Sequence, residues 1–216
     1  MRCPESEQKE NIIRVATRAD VDSAADILTS AFVDYPFTRH TIAADDHLIR
    51  LREFQRIFLQ EIAIPFGRVW LSDDDLAVSV WTTPQTAVAN DIFDEVGPRL
   101  TELAGDRAAA WRASESMMAE HRPTEPVWFL GAVAVQPSGQ GRGLGRAIIE
   151  PGLAAADVEM VPAFLETSTQ ANVRLYERLG FVTIAEYDLP GGGPHTWSML
   201  RPPTAEPAKH SDSAGR

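Results

Sequence analysis

Cysteine and long apolar segments are both scarce in this chain of 216 residues. The one cysteine, Cys3, cannot close a disulfide within the chain or supply a cysteine-rich zinc site. No stretch approaches the ~18 apolar residues of a membrane-spanning helix, and the first ten residues lack the apolar core of a signal peptide. We therefore expect a cytoplasmic protein without a metal site.

Positive charge is also in short supply. The chain has 20 Lys and Arg residues against 31 Asp and Glu residues, for a net charge of −11. A field of this sign repels phosphate backbones and anionic lipid head groups. We expect neither nucleic acid nor a membrane as a partner, whereas a cationic small molecule is compatible with the charge. The oligomeric state is left open.

Apolar residues recur with periods typical of alternating strands and helices, and hydrophobic residues make up 44% of the chain. We expect one α/β domain over residues 12–201, with a flexible leader (1–11) and a disordered tail (202–216). Hairpins at both ends and crossover helices between them predict a mixed sheet. The predicted strands cover residues 12–15, 68–71, 76–82, 127–135, 163–166, 181–189 and 195–201. The first predicted helix runs from about Asp20 to Pro36, and the second covers 51–62. Further helices are predicted over most of 87–120, directly after the glycine-rich turn, and over 170–179.

The most informative segment is the glycine-rich turn of residues 135–146, VQPSGQGRGLGR, between a buried strand and a helix. Glycines let a backbone turn its N–H groups toward one point, and the N-terminus of a helix adds positive potential there. Arg142 and Arg146 add cationic side chains. The segment predicts an anion site suited to a pyrophosphate, although a plain glycine-rich turn between a strand and a helix remains an alternative.

Glycine spacing separates the known kinds of phosphate loop. Neither G-x-G-x-x-G nor the P-loop pattern fits, whereas Gln140, Gly143 and Gly145 form Q-x-x-G-x-G. This pattern resembles the acetyl-CoA loop of the GNAT acyltransferase superfamily. The resemblance implies a mostly antiparallel sheet, flanked by helices and splayed at strands 4 and 5, with Gly131 at a bulge. It implies acetyl-CoA contacts from Val133, Ala134, Val135, Gln140, Gly141, Arg142, Gly143, Leu144, Gly145 and Arg146.

A second motif, N-x-x-x-Y-x-x-x-G-F, begins at Asn172, and Tyr176 lies four residues later on the same helix face. In GNAT enzymes the Asn contacts the coenzyme arm and the Tyr hydroxyl protonates the departing thiolate. A phenol with a pKa of about 10 is a reasonable acid for that group. Simple helix packing is the alternative for Tyr176.

Segments outside these motifs, AFVDYPFTRHT (31–41) and HRPTEPVWF (121–129), resemble the branch of the superfamily that acetylates puromycin. The resemblance runs from about Ile13 to Arg201, and Phe37 departs from it by its bulk. It implies acetylation of the α-amine of an aminoacyl-nucleoside antibiotic, and so antibiotic resistance, by direct transfer in a ternary complex. Another small-molecule amine, or a non-catalytic acyl-CoA-binding module, stays open as an alternative.

The remaining candidates concern the amine substrate. An α-amine has a pKa of about 8, so only a weak base is needed. Glu166 is one candidate for this base, and the alternative is that it only accepts hydrogen bonds from backbone amides at the end of its strand. His40 is a second candidate, and the alternative is that it only orders the turn at Arg39. Aromatic walls would suit the substrate ring. The candidates are Phe32, Tyr35, Trp81 and Trp128, each of which could equally be core, whereas we expect Trp111 and Met117–Met118 to pack within helices.

Overall fold

Seven strands form a single sheet in a computed structural model that describes residues 12–88 and 90–204. The predicted leader, Cys3 and nearly all of the predicted tail lie outside the described residues. The strand order is β1-β2-β3-β4-β5-β7-β6, and only β4 and β5 run parallel, as expected for a mixed, mostly antiparallel sheet. The strands are β1 (Ile13–Val15), β2 (Arg68–Ser72), β3 (Ala77–Thr82), β4 (Trp128–Val135), β5 (Ala163–Thr167), β6 (Val182–Asp188) and β7 (His195–Arg201).

Strand β4 separates from β5 halfway along its length. The two strands pair only from Trp128–Leu130 to Ala163–Leu165, while β4 stays paired with β3 up to Val135. Val80 opposes Ala132 and Trp81 opposes Leu130, so Gly131 is the extra residue of a bulge. The expected splay and the expected bulge are both confirmed. The splay leaves one backbone edge of residues 131–135 without a strand partner among the described residues.

Nine α-helices connect and cover these strands within the described residues. Near the start of the chain, Thr17 and Asp20 form a capping box that precedes α1. The helices are α1 (Val21–Phe32), α2 (Pro36–Thr41), α3 (His47–Ile57), α4 (Ile64–Phe66), α5 (Pro84–Val88), α6 (Asn90–Ala104), α7 (Ala108–His121), α8 (Leu144–Val158) and α9 (Gln170–Glu177).

Two helical details differ from the sequence-based expectation. Pro36 begins α2 instead of only ending the helix before it. Proline suits the first position of a helix because an amide N–H there would have no hydrogen-bond partner within the helix. The predicted helix over 51–62 does not keep α-helical spacing. Residues Phe58–Ala63 form a wider π-helical turn between α3 and α4, and such turns are frequent at functional sites.

The face of the sheet under α8 carries a cluster of tryptophans. Trp70, Trp81 and Trp128 lie with ring centroids 6.1–6.4 Å apart and are almost fully buried. A Cβ atom on Gly152 of α8 would come within 2.3 Å of the Trp81 ring, so only glycine allows this close approach. This side of the sheet is therefore tightly packed core.

Candidate active site

The glycine-rich turn adopts the conformation that an anion site requires. Gly141 and Gly143 have φ of +76° and +78°, and Gly143 is the N-cap of α8. No backbone amide of residues 141–145 donates to a carbonyl within the described part of the chain. These amides border a cavity of about 380 Å³ that Val135 and Leu175 also line. The turn thus offers several unpaired donors and the positive end of a helix to one ligand.

Three arginines surround this cleft, which we call the amide cleft. Arg146 lines it and pairs with Glu150 at 2.6 Å, while Arg142 lies at its edge, 4.0 Å from Asp74. Arg178 of α9 also lines it, and no carboxylate of the described residues lies within 4.0 Å of its guanidinium. Sequence reasoning missed Arg178, although it lies only two residues after Tyr176 in the second motif.

Helix α9 places Asn172 and Tyr176 beside the splayed part of the sheet. Thr169 caps the helix by accepting from the Asn172 amide, and Gly180 (φ +89°) follows it. Asn172 donates to the Thr167 hydroxyl at 3.1 Å, and Thr167 shares a 3.1 Å hydrogen bond with the Tyr35 hydroxyl. The Ser168 amide donates to Tyr35 as well, at 2.6 Å. This network joins α2, β5 and α9 at one point.

Tyr176 is 8% exposed, and its ring packs edge-on against Phe181. Its hydroxyl makes no hydrogen bond with the described residues. Burial raises the pKa of the phenol above its usual value, so the hydroxyl holds its proton at neutral pH. The side chain lines a second cavity, from which it can donate that proton.

The second cavity, the aromatic chamber, has a volume of about 830 Å³ and lies on the other side of the splay. Val133 of β4 and both Asn172 and Tyr176 of α9 line it, whereas Val135 and Leu175 of the same two elements line the amide cleft. Aromatic side chains from six separate segments form its walls: Phe32, Tyr35, Phe37, Phe54, Phe58, Phe93, Trp111, Phe129 and Tyr176.

A partly buried ion-pair cluster forms part of the chamber wall. Glu166 is 3% exposed and binds the Arg122 guanidinium at 2.8 Å, and Arg122 also contacts Glu115 at 3.3 Å. Burial raises the pKa of Glu166, and the positive charge of Arg122 opposes that rise in part. The chamber lining contains three glutamates, the third being Glu125, against one arginine. Its charge is therefore suited to a cation.

The structure brings some predicted substrate residues to the chamber and removes others. Phe32, Tyr35 and Glu166 line it. Trp81 and Trp128 do not, because both rings belong to the tryptophan core under α8. His40 does not line it either, since its Nε2 atom lies 3.0 Å from the Pro190 carbonyl and orders the β6–β7 turn instead. These three assignments to the substrate pocket are corrected.

Trp111 is the opposite case. We expected it to pack within helices, and its ring does contact Phe54 edge-on at 5.1 Å, yet it also lines the chamber. Arg122 was missed too, although it belongs to the HRPTEPVWF segment singled out from sequence. On a helix or on a strand, an aromatic residue looks the same in sequence whether it faces core or cavity, so no local signal showed that Trp111 and not Trp81 lines the chamber.

Known proteins share this arrangement. A family model described as an acetyltransferase (GNAT) domain matches residues 104–183, which include β4, the glycine-rich turn and α9. This part of the chain therefore matches a GNAT acetyltransferase domain, and the GNAT fold uses acetyl-CoA. The domain resembles the structure of a histone acetyltransferase HPA2 and related acetyltransferase from Corynebacterium glutamicum, with 26% identity and a TM-score of 0.71 over 91% of this chain and 98% of that one.

More distant relatives agree on the fold. The mosquito arylalkylamine N-acetyltransferase like 5b shares 15% identity with a TM-score of 0.55, over 88% of this chain and 99% of that one. A mycothiol acetyltransferase of Propionibacterium freudenreichii subsp. shermanii is 24% identical over 174 residues, or 78% of this chain. The chain spans about half the length of that relative, 51%.

In the part of the chain that the structure describes, no helix is both long and apolar enough to cross a bilayer. No group of three or more His, Cys, Asp or Glu side chains in residues 12–88 and 90–204 is arranged to hold a metal ion.

Proposed function

We propose that the GNAT domain transfers an acetyl group from acetyl-CoA to the primary amine of a small molecule with a large aromatic body. One observation carries the proposal: the splayed β4 and helix α9 border both the amide cleft and the aromatic chamber, so two substrates bound in them would meet beside Tyr176. Direct transfer in one ternary complex follows, without an acyl-enzyme.

The residues present fit acetyl-CoA. The unpaired amides of residues 141–145 would hold its pyrophosphate, with Gln140, Arg142, Arg146 and Arg178 around it. The free backbone edge of Val133, Ala134 and Val135 would pair with the pantetheine arm, because the ladder to β5 ends at Leu130. Asn172 lies where that arm would reach the chamber.

For the amine, we propose puromycin or a similar aminoacyl-nucleoside antibiotic, which acetylation would inactivate. The aromatic walls suit a methoxyphenyl ring and a nucleobase, and the excess of glutamates suits an ammonium group. Named relatives point to other acceptors: they include an arylalkylamine N-acetyltransferase like 5b, an agmatine N-acetyltransferase and a mycothiol acetyltransferase. Another small-molecule amine is therefore the second candidate.

Two protons must move during transfer. The amine nitrogen attacks the thioester carbonyl and loses a proton, and the C–S bond breaks to release the coenzyme as a thiolate. Tyr176 donates its phenolic proton to that sulfur. Burial raises the pKa of the phenol, and the same surroundings make a thiolate more basic, so the proton transfer remains favourable. Glu166 accepts the amine proton, directly or through water, because Arg122 keeps a carboxylate available in a buried site.

The test is purified protein mixed with acetyl-CoA and puromycin, with thiol release measured and the product identified by mass. A product heavier than puromycin by one acetyl group supports the proposal. Turnover of tyramine, agmatine or a cysteinyl amine without any turnover of puromycin overturns the antibiotic assignment. Binding of acetyl-CoA without turnover of any amine overturns catalysis and leaves an acyl-CoA-binding module.

A further inference from the structure

Gln55 is a polar residue in the apolar part of the aromatic chamber. It lies on α3, between Leu51 and Phe58, which line the same cavity. The π-helical turn that starts at Phe58 keeps Phe58 and Ile62 on the chamber wall beyond it. The neighbouring chamber-lining residues of the same stretch of helix, Leu51, Phe54 and Phe58, are all apolar.

The amide of Gln55 has no partner of its own in the described structure. The residue is 9% exposed, and none of the side-chain hydrogen bonds among residues 12–88 and 90–204 involves it. Among the described residues, Ser114 Oγ is the one side-chain nitrogen or oxygen atom that is both fully buried and without a partner. The amide atoms of Gln55, which also have no partner, are therefore not fully buried. The amide is therefore open to the chamber.

An amide that is open to the chamber can bond water there, and a ligand that carries an acceptor replaces that bond. A purely hydrocarbon substrate would displace the water and leave the amide without a partner. A planar ring that carries an acceptor atom would satisfy both the walls and the amide.

We infer that the Gln55 side-chain amide donates a hydrogen bond to a ring nitrogen or carbonyl oxygen in the aromatic body of the substrate. The inference rests on the proposed function for the location of the substrate and adds its chemical class: a nitrogen-containing heteroaromatic ring, such as a purine, attached to the amine. Gln55 is then a specificity-determining residue at the opposite end of the substrate from the amine.

The experiment compares wild type with Gln55→Met, which keeps the length of the side chain and removes its donors. Calorimetry measures the affinity for puromycin and for N6,N6-dimethyladenosine, which has the purine ring but lacks the aminoacyl α-amine. The probe without a heteroaromatic ring is O-methyltyrosine amide. Gln60→Met is the matched control, because Gln60 already bonds Arg56 and Glu61 and does not line the chamber.

We expect Gln55→Met to weaken binding of puromycin and of the nucleoside about five- to tenfold, without change for O-methyltyrosine amide or in Gln60→Met. Equal affinities in wild type and Gln55→Met overturn the inference, as does an equal loss for all three probes or a wild type that binds neither purine. Because binding is measured without turnover, a protein that binds puromycin through Gln55 but does not acetylate it refutes only the proposed function.

Discussion

The amide cleft and the aromatic chamber share β4 and α9 but are built in different ways. The cleft is formed mainly by backbone groups of one continuous segment, residues 135–146, and by one face of α9. The chamber is formed by side chains from helices α1, α2, α3, α6 and α7 together with strands β4 and β5. The comparison teaches that a site for a common cofactor can be local and made of backbone, whereas a site for a particular substrate is assembled from distant segments.

The largest effect should come from two tryptophans that look alike in sequence. Trp81→Ala removes a fully buried ring from the core and should lower the free energy of unfolding by about 4 kcal/mol. Trp111→Ala should cost less stability, about 1–2 kcal/mol, and should instead raise the KM for the amine. Urea unfolding and steady-state kinetics on both variants measure this. A larger stability loss for Trp111→Ala would contradict the division between core and chamber.

The next effect concerns the helix shared by both cavities. Tyr176→Phe keeps the ring contact with Phe181 but removes the proton donor, so kcat should fall about 100-fold with little change in either KM. Initial rates of thiol release, measured at varied concentrations of each substrate, give kcat and the two KM values. Urea unfolding of Tyr176→Phe is the control for folding, because the retained ring contact should leave stability nearly unchanged. A Tyr176→Phe enzyme as fast as wild type would remove Tyr176 from the mechanism.

The cleft can be disturbed without the chamber. Gly143→Val places a branched side chain at φ +78°, where strain of about 1–2 kcal/mol should reshape the turn and weaken acetyl-CoA binding about tenfold. Puromycin affinity should not change. Gly97→Val on α6 is the control, because a Cβ there meets no other atom within 4 Å. Unaltered acetyl-CoA affinity in Gly143→Val would mean that the turn does not hold the coenzyme.

The smallest effect belongs to the chamber carboxylate. Because burial raises the pKa of Glu166, this base is lost by protonation at a higher pH than an ordinary glutamate would be. The wild-type kcat/KM should therefore fall with acid through two ionisations, those of the amine and of Glu166, whereas Glu166→Gln should keep only that of the amine. At pH 7.5 the variant should be about fivefold slower, since part of the amine is already neutral. Identical pH profiles would exclude Glu166 as the base.

The sequence predicted much of the fold because strands and helices depend on local patterns. Each strand of the sheet was anticipated, including the bulge at Gly131, since alternation and glycine act on neighbouring residues. The π-helical turn at Phe58 was not anticipated, because it reflects how α3 and α4 fit their neighbours. Helix α2 was missed because a proline can either end one helix or begin the next.

By itself, the sequence determined the glycine-rich turn, the α9 motif and the positions of the strands along the chain, because these depend on backbone conformation and on residues a few positions apart. Only the tertiary structure decided which aromatic residues face the chamber. It placed Trp81 in the core and Trp111 on the chamber wall, and it joined Arg122 to Glu166 across 44 residues. The physical reason is that burial and pairing of a side chain depend on segments that meet only after folding, and the same residue type serves core and cavity equally well.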